Sequence, residues 1–208
     1  MIFSGVLLTV VTGLGIAIDQ AINEMRGTDE LDRYDNRVNR CRPGFGASCA
    51  LCCGSHNYAM GPDGIEELFL SRNNEALKTA PLHPEESTAE KLFHDAMQCP
   101  HVGMDPAEPG IVCCLIYDDP DRDASIESFF TGTCRSFYCP AWHELTDRQV
   151  LFAARLMRDW YYYSLLINHI GAVHDLCAQY DEPEDVPGDE LSALKDELVS
   201  VFIDEDGK

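Results

Sequence analysis

The chain has 208 residues, and its 36 acidic side chains against 15 basic ones give a formal net charge of −21 at pH 7. A surface this negative repels phosphate backbones, so nucleic acid is excluded as an expected partner. An apolar content of 45% excludes a chain that is disordered throughout. The length suits one domain that can bury a core without crosslinks. The ten cysteines therefore need another explanation.

The first eighteen residues contain no charge and consist of apolar and small side chains. This is near the shortest length of a membrane-spanning helix, so residues 1–18 are either a membrane anchor or a helix buried in the domain. The segment lacks the basic start and cleavage site of a signal peptide. Several arginines follow it, and the positive-inside rule then keeps residues 19–208 in the cytoplasm, anchored to the inner face of the membrane if the segment inserts.

Helical spacing of apolar residues predicts most of the remaining structure. A helix is expected over residues 16–38, and another begins at Pro62 with Asp63 as its N-cap. Ser87 and Glu90 form a second capping pair, ahead of a short helix that includes Leu92 to Met97.

The second half of the chain has a longer helical pattern. Thr146 opens it and Leu176 ends it, which predicts a long C-terminal helix. Only Ile111 to Tyr117 has the composition of a strand. We therefore expect a small, mainly α domain over residues 19–180, with few short strands and a cysteine-rich metal centre built from loops.

The C-terminal segment, residues 181–208, is strongly acidic. Residues 181–188 indicate a solvated linker, and residues 189–203 an amphipathic helix. A helix docked on the domain is favoured over a tail that binds a partner.

Nine of the ten cysteines lie between residues 41 and 139, on predicted loops. Loops can bend several thiolates around one centre, and the spacing of Cys49 and Cys52 is that of a metal-chelating pair. The adjacent pairs Cys52-Cys53 and Cys113-Cys114 suit two neighbouring metals, a cluster, or one ligand beside a bystander. Metal binding is favoured over a disulfide framework or a set of unrelated thiols, because the domain is large and is expected in a reducing compartment.

Four motifs occur in a fixed order: Cys49-x-x-Cys52-Cys53, Cys99-Pro100, Cys114-Leu-Ile-Tyr117 and Cys134-Arg-Ser-Phe-Tyr-Cys139. The ordered set resembles the CxxCxxCC family of zinc- or iron-chelating proteins (YkgJ-like), over residues 41–145. The resemblance implies that the cysteines of these motifs are metal ligands: Cys49, Cys52, Cys53, Cys99, Cys114, Cys134 and Cys139.

The chain departs from the family's pattern at two places. The first cysteine of the family motif would fall at Gly46, and here Cys41 is expected to replace it from a longer loop. Residues 118–133 form an acidic insertion that lacks the family's Arg-Pro dipeptide. With Cys41 the expected ligand set has eight cysteines, and Cys113 and Cys177 are left as ordinary thiols.

An all-sulfur ligand set suits zinc or iron, the iron either as an ion or as a 4Fe-4S cluster. His56, His101 and His143 lie close to the motifs in sequence and are interpreted as neighbours of the site rather than ligands.

A flagellin lysine methylase is related to the family, so one alternative function is an iron–sulfur enzyme of the methyl-transfer or redox class. The other alternative is a disulfide-stabilised exported protein. The sequence identifies no acid–base pair, and no glycine pattern for S-adenosylmethionine, so it leaves open whether the protein is an enzyme.

Overall fold

The computed structural model describes residues 37–72, 89–117 and 130–204, and every structural statement below concerns this part of the chain. Residues 1–18 and Ser87 lie outside it. Of the helix expected over residues 16–38 only the last two residues are described, and these two are not helical. Among the described residues no helix is both long and apolar enough to cross a membrane.

Helix α1, Pro62–Ser71, begins where the sequence predicts, but its N-cap is Gly61 and not Asp63. Proline suits the first helical position because its φ is already helical and its missing N–H has no partner there. Asp63 lies in the first turn and makes no capping hydrogen bond.

The strand expected within residues 111–117 is short, and the sequence did not reveal its partner. Strand β1, Val102–Met104, pairs antiparallel with β2, Val112–Cys114, and the register sets Val102 opposite Cys114. Helix α1 packs on β1. Side chains of the helix and the hairpin, with Tyr58 and Trp160, form one of two apolar cores, which we call the hairpin core.

The prediction of a helix after Glu90 is wrong over the described residues, because residues 89–97 form bends and turns. The buried side chain of Asn57 organises this segment. Its amide nitrogen donates to the carbonyl oxygens of Phe93 and Ala96, both at 3.0 Å, and its oxygen accepts from the Phe93 backbone N–H at 2.7 Å. A buried amide that takes up the backbone groups of a segment competes with helical hydrogen bonding.

A short helix, α2, Pro140–Glu144, precedes Thr146. The long C-terminal helix expected from Thr146 is instead three shorter helices: α3, Asp147–Met157; α4, Trp160–Asn168; and α5, Ile170–Gln179. Thr146 does cap α3, in a reciprocal capping box with Gln149. Helix α3 ends at Arg158, which adopts a left-handed φ of 53°, and Asp159 caps the helix that follows. The apolar spacing continues across these breaks, which is why the pattern looks continuous in the sequence.

These helices enclose the second apolar core, which we call the helical core; Val150, Tyr163, Leu166 and Val173 are fully buried in it. The expected terminal helix is present as α6, Gly188–Asp204, and it docks on this core through Leu198.

The segment before α6 is not a solvated linker throughout. Pro183 and Val186 are buried, and a short 3-10 helix spans Pro183–Asp185. The described chain is therefore mainly α with one two-stranded sheet, as the sequence predicts.

Candidate metal centre

The first cysteine loop, residues 41–49, is closed by its own backbone. The N–H of Cys49 donates to the carbonyl oxygen of Cys41 at 2.9 Å, and Ala47 donates to Gly44 at 3.0 Å. The tip is left-handed at three successive residues, Gly44, Phe45 and Gly46. This closure brings Cys41 back beside Cys49 although seven residues separate them.

The conformation of the loop at position 46 leaves little room for a side chain. Gly46 has a φ of +76°, and a Cβ atom built there would lie 3.2 Å from the carbonyl oxygen of Arg158. A side chain at this position would therefore be strained and crowded. Cys41, at the base of the same loop, is the residue near Cys49.

Cys52 and Cys53 lie on a short 3-10 helix, Leu51–Cys53, which directs neighbouring side chains about 120° apart. Their sulfur atoms are 3.9 Å apart. The helix ends at Gly54, whose left-handed φ of 80° lets its N–H donate to the carbonyl oxygen of Leu51.

A second set of backbone contacts assembles three other cysteines. The Cys99 N–H donates to the carbonyl oxygen of Cys53 at 2.9 Å, and the turn from Cys99 leads into Val102, which lies opposite Cys114 in the hairpin. Cys99 is buried in the hairpin core, and Cys53 packs against the same core.

The last motif separates its two cysteines. Cys134 ends a π-helical turn, Phe130–Cys134, and is exposed. Cys139 is the N-cap of α2, directly before Pro140, and packs against the helical core together with Cys49.

The thiols lie near enough to repel one another as thiolates. Burial is the main cause that raises the pKa of Cys41, and repulsion from Cys49, Cys52 and Cys139 raises it further. Burial, with repulsion from Cys52 and Cys139, raises the pKa of Cys49 to about 12. The Cys41 residue as a whole is exposed, although neighbouring atoms surround its thiol group.

A similar set of interactions surrounds Cys114. Burial raises its pKa to about 12, with repulsion from Cys99 and Cys134 adding to the shift. The pKa of Cys99 is raised to about 11, again mainly by burial and then by Cys134. Cys53 is repelled by Cys52 and by both Cys99 and Cys114.

Cys52 is the thiol that both groups share. A hydrogen bond with Cys53 lowers its pKa to about 7. Its charge raises the pKa of Cys41, Cys49 and Cys139, and it also raises the pKa of Cys134. Pairwise electrostatic interactions therefore link the eight cysteines that the sequence nominated, and they include Cys113, which lies beside Cys114 on β2.

Cys177 lies apart from these contacts, half-buried on α5 against the helical core. All ten cysteines are free thiols, and no disulfide joins any two of them.

The histidines hold different places from the thiols. His56 is buried between aromatic rings, and its ring nitrogens contact the Ser55 hydroxyl at 2.9 Å and the carbonyl oxygen of Tyr161 at 3.0 Å. His101 is fully buried beside β1, and His143 lies in the last turn of α2. The ring contacts of His56 give it a structural role.

Four polar residues that the sequence did not indicate lie around the thiols. The Asn168 amide donates to the sulfur of Cys49 at 3.6 Å, and the Ser164 hydroxyl, which donates to the carbonyl oxygen of Ser48 at 3.3 Å, lies near enough to lower the pKa of that thiol. Burial and the nearby thiol of Cys49 raise the pKa of Tyr163. Arg72 lies near Cys99 and donates to its carbonyl oxygen at 3.2 Å. Ser164 and Asn168 had a signal, since they are the polar residues one turn apart in an otherwise apolar helix.

No family model, no curated protein and no solved structure matches the chain.

The chemistry of the donor set fits a soft metal, because thiolates select zinc, copper(I) or iron–sulfur centres over magnesium or calcium. In the part of the chain that the structure describes, no three His, Cys, Asp or Glu side chains adopt positions that could hold a metal ion. The thiols lie near one another without ligating geometry, and a metal would have to draw them closer.

Proposed function

We propose that the protein is a cysteine-ligated metal-binding protein of the kind its motifs resemble, with zinc or iron as the metal. Metal binding would join the cysteine loops to the helical body and so stabilise the domain. The observation that supports this function is that thiols from separate segments of the chain interact electrostatically with one another, whereas Cys177 lies apart from them.

Electrostatics give the second support. Repulsion among the thiols and their burial raise the pKa of nearly all of them. A bound cation offsets both costs, since the thiolate is then paired rather than buried alone. The Asn168 hydrogen bond to Cys49 would persist around a bound metal and orient that ligand.

The test is to purify the full chain without oxygen and measure its metal content and visible absorption. A colourless protein that contains zinc, or a brown one that contains iron, is expected. Iron with equimolar sulfide would identify a cluster. Protein that contains no metal and binds none after reduction would refute the proposal.

Cysteine variants make the test specific. Cys134→Ser should lose metal and solubility together, because a ligand is removed from an exposed loop that the metal holds. Cys177→Ser removes a thiol that packs against the helical core away from the other cysteines, so this variant should retain the full metal content. Equal metal content in the two variants would contradict the ligand role of Cys134.

A further inference from the structure

Cys52 and Cys53 are neighbouring thiols with unequal access to solvent. Their sulfur atoms are 3.9 Å apart. Cys52 is exposed, whereas Cys53 is half-buried and packs against the hairpin core. The backbone of Cys53 is also held, because its carbonyl oxygen accepts from the N–H of Cys99 at 2.9 Å. The outer thiol can therefore meet a reagent from solvent while the inner thiol stays beside it.

Cys52 also lines a cavity of about 150 Å³. At about 30 Å³ for each water molecule, such a space holds about five waters or one small organic molecule. One wall is fixed at Gly54, where a Cβ atom would lie 1.8 Å from a backbone carbonyl oxygen. Four apolar residues line the cavity: Leu51, Phe93, Ala96 and Met97.

The polar side chains around this cavity are engaged by the protein itself. The amide of Asn57 binds backbone groups of Phe93 and Ala96. The ring nitrogens of His56 contact the Ser55 hydroxyl and the carbonyl oxygen of Tyr161. A molecule in the cavity therefore meets an apolar wall and a thiol. The net charge of −21 disfavours an anionic molecule here, so the cavity suits a small neutral one.

We propose that Cys52 reacts with small neutral alkyl hydroperoxides in this cavity, and that Cys53 resolves the product as a disulfide. Accessible thiols with a resolving cysteine beside them are the ones that oxidise reversibly. The reaction belongs to the metal-free chain, so it goes beyond the proposed function and does not depend on it.

The reaction has two steps. The Cys52 sulfur attacks the terminal peroxide oxygen and the O–O bond breaks. The alcohol leaves with the proton that the thiol released, so that the sulfur is oxidised to a sulfenic acid and the peroxide is reduced. The Cys53 sulfur then attacks the Cys52 sulfur, an S–S bond forms, and the S–O bond breaks. The hydroxide leaves as water with the proton of Cys53.

The product is a disulfide that is easily reduced. Adjacent residues have Cα atoms about 3.8 Å apart, less than the roughly 4.4 Å that an ordinary disulfide needs. A strained and accessible bridge of this kind exchanges readily with thiols. An external dithiol therefore restores the pair and is itself oxidised to a disulfide.

The chain contains a matched comparison in its other adjacent pair, Cys113 and Cys114. Both lie on strand β2. Successive side chains of a strand point to opposite faces of the sheet, so these two thiols are directed apart. The same sequence feature is thus present without the arrangement that the reaction needs.

The experiment uses the full chain, reduced and kept in chelator, with tert-butyl hydroperoxide as the probe. Remaining thiols are blocked with iodoacetamide and the peptides are mapped by mass spectrometry. In wild type a bridge between Cys52 and Cys53 should form while Cys113 and Cys114 remain reduced, and dithiothreitol should reverse it. Oxidation that reaches both pairs equally, or that joins Cys52 to a different cysteine, overturns the proposal. This measurement needs no variant, so it holds if a variant does not fold.

Variants assign the two roles. Cys53→Ser should stop at a Cys52 sulfenic acid, which dimedone traps. Cys52→Ser should lower the rate of peroxide consumption by about tenfold or more, because the accessible sulfur is lost. Cys113→Ser, the control, should keep the wild-type rate. A wild-type rate in Cys52→Ser would refute its role.

A comparison with hydrogen peroxide tests the cavity. Wild type should consume tert-butyl hydroperoxide faster than hydrogen peroxide, because only the alkyl group gains from the apolar wall. Ala96→Leu should slow the alkyl peroxide by about tenfold through overfilling, and leave hydrogen peroxide unaffected. Faster consumption of hydrogen peroxide by wild type, or equal slowing of both by the variant, overturns the assignment of the cavity. Metal-free protein that consumes no peroxide refutes this inference and leaves metal binding as proposed.

Discussion

Cys52 and Cys53 show how much two neighbouring residues of one type can differ. The hydrogen bond between their thiols lowers the pKa of Cys52 to about 7 and raises that of Cys53, which burial raises further. Cys52 is therefore the more easily ionised of the two near neutral pH. The motif spacing nominates both residues equally, because spacing contains no information on which thiol donates and which accepts.

His56 leads to a prediction about pH. Burial lowers its pKa from 6.5 to about 4, and its ring packs 4.4 Å from that of Tyr161 between centroids. In the unfolded chain His56 becomes protonated as the pH falls below 6.5, whereas in the folded chain it becomes protonated only near pH 4. Stability is thus lost as the pH falls through this window, by up to about 1.4 kcal/mol per pH unit from this residue.

Urea unfolding at intervals from pH 7 to pH 4 measures this contribution. The His56→Gln variant should have a shallower loss of stability than wild type, whereas His174→Gln, which removes an exposed histidine from α5, should follow wild type. Equal slopes for wild type and His56→Gln would show that the ring does not resist protonation.

At the residue scale the sequence nominates thiols but says little about what surrounds them. The backbone hydrogen bond from Cys49 to Cys41 places these two nominated cysteines side by side, and Gly46 lies between them in a left-handed loop. Arg72 near Cys99 was not predictable, because it directly follows α1 and its approach depends on how that helix packs on the hairpin.

The elements were predictable where apolar spacing and caps agree. The starts of α1 and α3 and the docking of α6 are examples. The prediction failed where one residue overrides the pattern, as Asn57 does for residues 89–97 and Arg158 does at the end of α3. Such overrides depend on contacts from distant parts of the chain, so local periodicity cannot reveal them.

Gly54 lies directly against the backbone of Met97 and Gln98, and this contact leads to a prediction. A Cβ atom there would lie 1.8 Å from the carbonyl oxygen of Met97, in a residue whose φ is already +80°. Gly54→Ala should therefore separate the 3-10 helix from residues 97–99 and destabilise the fold by roughly 3 kcal/mol.

Gly44→Ala is the matched control for this effect. Gly44 has a φ of +93°, but a Cβ atom there meets nothing within 4 Å. Gly44→Ala should therefore destabilise the fold through backbone strain alone, by roughly 1 kcal/mol. The urea midpoints of unfolding are measured for both variants, since Gly44→Ala has backbone strain alone and Gly54→Ala has strain together with a steric clash. Similar midpoints would mean that residues 97–99 move aside freely.

Over the whole molecule the dominant quantity is the charge of −21. Some of the acidic side chains form ion pairs between elements. Arg155 of α3 contacts Glu182 at 2.8 Å and Glu184 at 2.6 Å, and these contacts connect α3 to the segment before α6. The acid that does not form such pairs opposes compaction through repulsion.

Charge removal should therefore stabilise the protein only where the acid lacks an ion pair. Asp196→Asn with Glu197→Gln neutralises two exposed acids on α6 and should raise the Tm by about 1 °C at low salt, because repulsion falls. Glu182→Gln with Glu184→Gln removes the same charge but breaks the contacts with Arg155, so its Tm should not rise.

The gain in Tm of the first variant should fade in 1 M NaCl, where the screening length is about 3 Å. Calorimetry at both salt concentrations measures this, and a gain that persists in high salt, or that both variants share, would show that repulsion is not the cause.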